Sequence, residues 1–283
     1  IAEKALGEAA AKWRMASGAV VVQNPHTGEI LAMASYPTFN PNEFNKSAPE
    51  TRINRAVSQV FEPGSTFKLV AVAAALEEKL TQPSEVINCQ WGSIVLSGHT
   101  IRDDKPHGDL TVSQVMAQSS DVGVIKLALR LGEDRLYRYI KSFGFGDEAG
   151  IELPAEERGL LRPPSRWSGI SIGEISMGQE VGVTPLQIVS AYSAIANGGI
   201  LFQPRVVREV FQGTSYEPIL AASGRRVISP RTAQLMRDIL TEVVETGTGT
   251  PARPTGYSAA GKTGTAQKID SSGTYSKTHY IPS

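Results

Sequence analysis

The sequence contains a single cysteine, Cys89, among its 283 residues. An internal disulfide is therefore excluded, and Cys89 reads as a small buried apolar residue rather than a reactive thiol. Charge of one sign is not in excess either, since 28 Lys and Arg balance 28 Asp and Glu. No strong field recruits nucleic acid or anionic lipid, and no nucleic-acid partner is expected. Long apolar runs are missing: the longest, Leu69 to Leu76, is far too short to span a bilayer. The four histidines, His26, His99, His107 and His279, have no metal-ligand spacing, so neither a metal nor another cofactor is expected. The chain opens on Ile1 without a signal-peptide pattern, and any leader or anchor is expected to lie outside it. What is present is ordinary globular composition, 41% hydrophobic and 20% charged, in a length that suits one large domain or two modest ones.

Strand signals lie near both ends and helix signals between them. Residues 1–13 read as a helix, followed by a hairpin of Ala19 to Gln23 and Glu29 to Ser35 around the turn Pro25-His26-Thr27-Gly28. Residues 37–49 read as loop, and Thr51 to Val60 as a short helix. Short strands are expected at Val86 to Cys89 and Ser93 to Leu96. Thr111-Val112-Ser113-Gln114 and Thr184-Pro185-Leu186-Gln187 fit capping boxes, each opening a helix. Ser119-Ser120-Asp121 interrupts the first of these helical stretches, and Glu133 to Phe143 forms a further helix. Residues 147–180 read as irregular, Pro204 to Phe211 as a strand, and Ser229-Pro230 as the start of a helix. A strand around Tyr257 to Ile269, a turn at Ser271-Ser272-Gly273 and a final strand close the chain. The pattern suggests an α/β platform with an inserted, mostly helical lobe and a cleft where they meet.

Chemistry concentrates around Phe61-Glu62-Pro63-Gly64-Ser65-Thr66-Phe67-Lys68. Pro63 and Gly64 break the preceding segment, so Ser65 sits at the mouth of a helix, where Ser is a favoured cap. Lys68 is three positions on, along the same face. A hydroxyl beside an amine at the positive end of a helix dipole suits an activated nucleophile. By itself the pair is a weak signal and reads better as a cap followed by an incidental surface lysine. It gains weight from Ser119-Ser120-Asp121 and Lys262-Thr263-Gly264, which stand in S-x-N-like and K-T-G positions in the expected order.

Two other spellings fail on context. Gly256 to Thr263 matches a phosphate loop, but Gly264 follows at once and no helix is expected to open there. Gly169-Ile170-Ser171-Ile172-Gly173 spells a nucleophile elbow, with Asp238 and His279 in hydrolase order, yet no strand-to-helix turn surrounds Ser171 and the segment reads as loop.

With these motifs in view, the chain resembles the transpeptidase domain of a class B penicillin-binding protein, nearest the cell-division type. The likeness runs from about residue 16 to the end. It includes the Ser65 string, Met177-Gly178-Gln179, Val183-Thr184-Pro185-Leu186-Gln187 and Tyr257 through Ala266. The resemblance implies an α/β (α+β) fold of the penicillin-binding and serine β-lactamase type. In it an antiparallel sheet is flanked by helices and carries an all-helical lobe within about residues 45–250. Members normally continue past Ile281-Pro282-Ser283 into further strands and a terminal helix, so residues 1–283 are expected to form one transpeptidase domain lacking its C-terminal end.

The resemblance also implies roles. Ser65 attacks a D-Ala-D-Ala stem peptide of peptidoglycan and is the residue that β-lactams trap. Lys68 is the base, Ser119 a proton shuttle, and Lys262 a charge that drives the proton from Lys68. Backbone N–H groups of Ser65 and Thr265 form the oxyanion hole. Thr263 and Thr265, with Lys262, hold the substrate carboxylate, and Gly264 leaves room for substrate along the strand edge. Asp121 departs from the family's usual Asn: an ionised carboxylate only accepts hydrogen bonds, and beside Lys68 it favours the charged lysine. Acylation is therefore expected to be slower or more pH-dependent than with Asn. The implied setting is extracytoplasmic or periplasmic, with an N-terminal membrane anchor, a glycan polymerase and other division proteins as partners. Alternatives are a D,D-carboxypeptidase, a β-lactamase, or a non-catalytic β-lactam sensor or division scaffold.

Overall fold

The computed structural model describes residues 1–213, 215–218, 224–269 and 275–283. The chain begins with α1 (Ala2–Trp13), whose Leu6 and Ala10 are buried against the hairpin of β1 (Gly18–Gln23) and β2 (Ile30–Tyr36). The hairpin is antiparallel, with Gly18 opposite Tyr36 and Val21 opposite Met33. Residues expected as loop contain two short 3₁₀ turns, Pro41–Lys46 and Pro49–Thr51, each with proline in its first positions. The helix expected from Thr51 to Val60 shortens to α2 (Arg55–Ser58), because Asn54 caps it by accepting from the Ala56 N–H.

The centre of the molecule is α3 (Lys68–Glu77). Every residue from Lys68 to Leu76 is buried, as expected of a helix apolar all round. It packs against α5 (Asp121–Leu131), α6 (Glu133–Ser142) and α9 (Pro230–Glu245). Between α3 and α5 the chain makes β3 (Val86–Asn88), β4 (Ser93–Leu96), β5 (His99–Arg102) and β6 (Asp109–Thr111), paired antiparallel as β3–β6 and β4–β5. Both expected capping boxes form, Thr111 with Gln114 on α4 (Val112–Ala117) and Thr184 with Gln187 on α8 (Pro185–Ala196). Ser229 caps α9 by accepting from Thr232 N–H.

The segment expected to be irregular contains α7 (Ser171–Ser176). Its Gly and Ser content hides it from propensity, but it is fixed by packing on α5, and Gly173 leaves the space that Leu96 and Ile101 fill. The later strands are β7 (Ile200–Leu201), β8 (Glu209–Gln212), β9 (Ser215–Pro218), β10 (Arg225–Arg226), β11 (Thr265–Ile269) and β12 (Tyr275–Pro282). The strand expected from Pro204 thus begins only at Glu209, and the one expected from Tyr257 begins only at Thr265, after a stretch broken by Pro254, Gly256, Gly261 and Gly264. The turn expected at Ser271-Ser272-Gly273 lies outside the described residues. Among the described residues the strands form separate antiparallel pairs, with the β1–β2 and β11–β12 pairs built from opposite ends of the chain.

Candidate active site

The site forms where the turn before α3 meets the junction of α4 with α5 and the start of β11. Phe61 and Val183 exchange backbone hydrogen bonds (3.0 and 2.9 Å), and Gly64 N–H donates to Gly178 O at 3.0 Å, anchoring the turn from below. Gly64 has φ 53°, and a Cβ there would lie 2.9 Å from Thr265 O. Glycine is required because the turn packs directly on the first residue of β11. Ser65, half-buried, lies inside a 3₁₀ turn, Gly64–Phe67, that runs straight into α3. It therefore does not act as the helix cap that its position in sequence suggests. Thr66 Oγ1 instead donates to Pro63 O at 2.8 Å, and Tyr192 Oη from α8 donates to Thr66 O at 2.9 Å.

Lys68 is fully buried, so its ammonium must find partners within the protein. Its Nζ meets Ser119 O at 2.5 Å, Ser119 Oγ at 3.1 Å and Asp121 Oδ1 at 2.7 Å. Three acceptors match the three N–H groups of a charged lysine. Ser119 reaches this position through a left-handed backbone, φ 61°, between α4 and α5. Lys262 approaches from the other side, donating to Ser119 Oγ at 2.9 Å and to Thr263 O at 3.0 Å. Burial, then the charge of Lys68, pushes the Lys262 amine down to about 7, against an opposing pull from Asp121. Lys68 meanwhile sits against the Asp121 carboxylate.

The remaining predicted residues line up beside this cluster. Thr263 is exposed and hydrogen-bonded through Oγ1 to Thr248 Oγ1 at 3.1 Å. Gly264 is buried and exchanges backbone hydrogen bonds with Ser283 (2.6 and 2.9 Å), extending the β11–β12 ladder by one residue. A Cβ at Gly264 would lie 2.9 Å from both Pro63 O and Thr66 Cγ2. Packing on the Ser65 turn by itself demands glycine at this position. Thr265 is exposed at the start of β11. Lys68 thus contacts Ser119 and Asp121, Lys262 joins them through the Ser119 hydroxyl, and Ser65 lies one turn from Lys68 with Thr263 to Thr265 alongside.

Sequence reasoning missed an acidic group made by Glu62, Glu174 and Glu180. Glu180 N–H donates to Glu62 Oε1 at 2.9 Å, Ser171 Oγ donates to Glu180 Oε2 at 2.7 Å, and Arg162 pairs with Glu180. Burial, with smaller contributions from Glu180, Asp121 and Glu62, raises the Glu174 carboxyl to about 7. Glu62 and Glu180 stand within or just after the strings that carry the resemblance, which was the available signal. Ser171, the elbow candidate, is buried in this network at the start of α7. The Gly256 to Thr263 stretch leads into a strand, not a helix. Among the described residues no His, Cys, Asp and Glu group is placed to hold a metal.

The sequence profile of the penicillin binding protein transpeptidase domain matches residues 18–282. The chain belongs to this family. Relatives of this penicillin-binding transpeptidase domain include penicillin-binding protein PbpB of Mycolicibacterium smegmatis, 41% identical over 90% of the chain and 42% of that protein. Stage V sporulation protein D of Bacillus subtilis is 37% identical over 100% of the chain and 45% of its own length. Peptidoglycan D,D-transpeptidase FtsI of Escherichia coli is 34% identical, covering 95% of the chain and 44% of its own length. The chain thus spans less than half the length of these relatives. The crystal structure of penicillin-binding protein 3 from Mycobacterium tuberculosis complexed with aztreonam superposes with a TM-score of 0.94 at 36% identity, over 99% of this chain and 65% of that one. The fold is accordingly the penicillin-binding transpeptidase fold.

Proposed function

We propose that this domain is the acyl-transfer unit of a serine D,D-transpeptidase that cross-links peptidoglycan stem peptides and is trapped by β-lactams. The observation that carries the reading is the Lys68–Ser119–Lys262 contact beside Ser65, in a chain of the penicillin-binding family. Ser65 Oγ attacks the carbonyl carbon of the penultimate D-alanine, and its proton passes to a neutral lysine. In the resting arrangement Lys68 holds a full set of acceptors. With Lys262 near neutrality, the Ser119 hydroxyl between the two amines is the route by which Lys68 gives up a proton and becomes the base.

The tetrahedral oxyanion is received by the N–H groups of Ser65 and Thr265, each donor contributing about 10²–10³ in rate. Ser119 returns a proton to the departing nitrogen, D-alanine leaves, and an ester remains on Ser65. An acceptor amine then attacks the ester, loses a proton to the same lysine–serine relay, and restores the Ser65 hydroxyl as the cross-link forms. Lys262, Thr263 and Thr265 suit the terminal carboxylate of the donor peptide, and Asp121 tunes the lysine pair.

Residues 1–283 act as one domain of a longer, extracytoplasmic protein anchored to the cytoplasmic membrane, working with a glycan polymerase in division. Among the described residues no helix is long and apolar enough to cross a membrane. The test is a stem peptide ending in D-Ala-D-Ala incubated with an acceptor amine, following free D-alanine and cross-linked product together. Cross-link in step with D-alanine supports the reading. D-alanine without cross-link makes the protein a carboxypeptidase, and neither product removes the catalytic assignment.

A further inference from the structure

The left-handed Ser119 and the nearby Asp121 hold every N–H of Lys68, Ser119 from the link between α4 and α5 and Asp121 from the first residue of α5, where the helix has only begun. What fixes them is Asp103, in the loop after β5. Its Oδ2 accepts from Ser120 Oγ at 2.7 Å and its Oδ1 from the Val122 N–H at 2.9 Å. The two contacts fall on the residues immediately before and after Asp121. Ser120 Oγ in turn accepts from Gly123 N–H at 3.1 Å, so one hydroxyl joins the clamp to the first turn of α5. A carboxylate at this helix start is also favoured by the peptide dipoles. Asp103 is itself held: its N–H donates to Gly92 O at 2.9 Å, and a Cβ on Gly92 would lie 3.2 Å from the Asp103 Cβ. The loop therefore fits only because residue 92 has no side chain.

We propose that Asp103 is a positioning residue for acylation. By gripping Ser120 and Val122 it sets where the Ser119 carbonyl, the Ser119 hydroxyl and the Asp121 carboxylate meet Lys68. The assignment rests on the transpeptidase reading above. It makes no contact with Ser65, Lys68 or substrate necessary, and its effect belongs to the chemical step rather than to binding.

The experiment is β-lactam acylation of wild type, Asp103→Ala and Asp103→Asn, with the rate at saturation separated from the half-saturating concentration and normalised to the acyl-enzyme finally formed. Displacing catalytic groups by a fraction of an ångström to an ångström costs on the order of 10- to 100-fold. Asp103→Ala is expected to lower the saturating rate by about that factor while leaving half-saturation nearly unchanged. Asp103→Asn is expected to recover most of it, since its oxygen can accept from Val122 N–H and its amide can donate to Ser120 Oγ.

If folded Asp103→Ala acylates at the wild-type rate, or Asp103→Asn is as slow as the alanine variant, the clamp is not what positions the site. Should Asp103→Ala fail to fold, Ser120→Ala removes one arm alone and is expected to lower the saturating rate by a smaller factor; an unchanged rate there overturns the proposal. A wild-type protein that is not acylated at all overturns the transpeptidase reading and this inference together. An acylating wild type with an indifferent Asp103 overturns this inference alone.

Discussion

At the scale of single residues the site is a problem of two lysines sharing one serine. Lys262 is depressed to about 7 by burial and by Lys68, while Asp121 pulls it upward. Removing the Asp121 charge removes the upward pull, so the acid limb of the acylation profile, set by loss of the Lys262 proton, is expected to move below about pH 7 in Asp121→Asn. Stopped-flow acylation across pH 5 to 9 checks it; superimposable wild-type and variant profiles would count against this electrostatic account. The same depression has a stability consequence. The folded value lies below the ordinary lysine value, so the unfolded chain binds more protons from about pH 7 up to the ordinary lysine range. Stability from this group therefore rises with pH through that window, and the full penalty stands below about pH 7. Lys262→Met is expected to abolish turnover yet raise the thermal midpoint, most at and below pH 7 and less toward alkaline pH. A midpoint difference that ignores pH would show that Lys262 carries no such penalty.

At the scale of elements the Ser65 turn and the start of β11 pack backbone against backbone. Gly264→Ala places a methyl 2.9 Å from Pro63 O and Thr66 Cγ2. Overpacking of this kind costs about 1–3 kcal/mol, and here it separates the two halves of the site. Denaturant unfolding and acylation together are expected to show both that loss and a fall in acylation of about tenfold or more; an alanine variant as stable and as active as wild type would contradict the packing argument. This is also where legibility in the sequence divides. Ser65, Lys68, Ser119, Lys262 and Thr263 lie in contiguous strings, and the capping boxes at Thr111 and Thr184 are local hydrogen-bond patterns, so both were readable. α7 was not, because Gly169, Gly173 and three serines speak against a helix that tertiary packing on α5 nevertheless fixes. Asp103 was invisible for the same reason: between Arg102 and Asp104 it reads as a solvated charge, and only the fold brings it to Ser120 and Val122.

At the scale of the molecule Lys68 belongs to the hydrophobic core rather than to a surface groove. α3 is buried along its length between α5, α6 and α9, so the position of Lys68 inherits the rigidity of that packing. Leu127 of α5 is fully buried, whereas Leu160 is 62% exposed. Leu127→Ala is expected to cost about 2–5 kcal/mol in denaturant unfolding and Leu160→Ala far less; similar losses would mean that the core does not sit where α3 and α5 meet.

The central claim is that Ser65 is the acylated nucleophile of a penicillin-binding transpeptidase domain. Intact-mass spectrometry after benzylpenicillin, with peptide mapping over time, addresses it most directly. The account predicts one persistent adduct, on the peptide carrying Ser65 and absent from Ser65→Ala. An adduct on another residue, or one lost within minutes as in a β-lactamase, would contradict it.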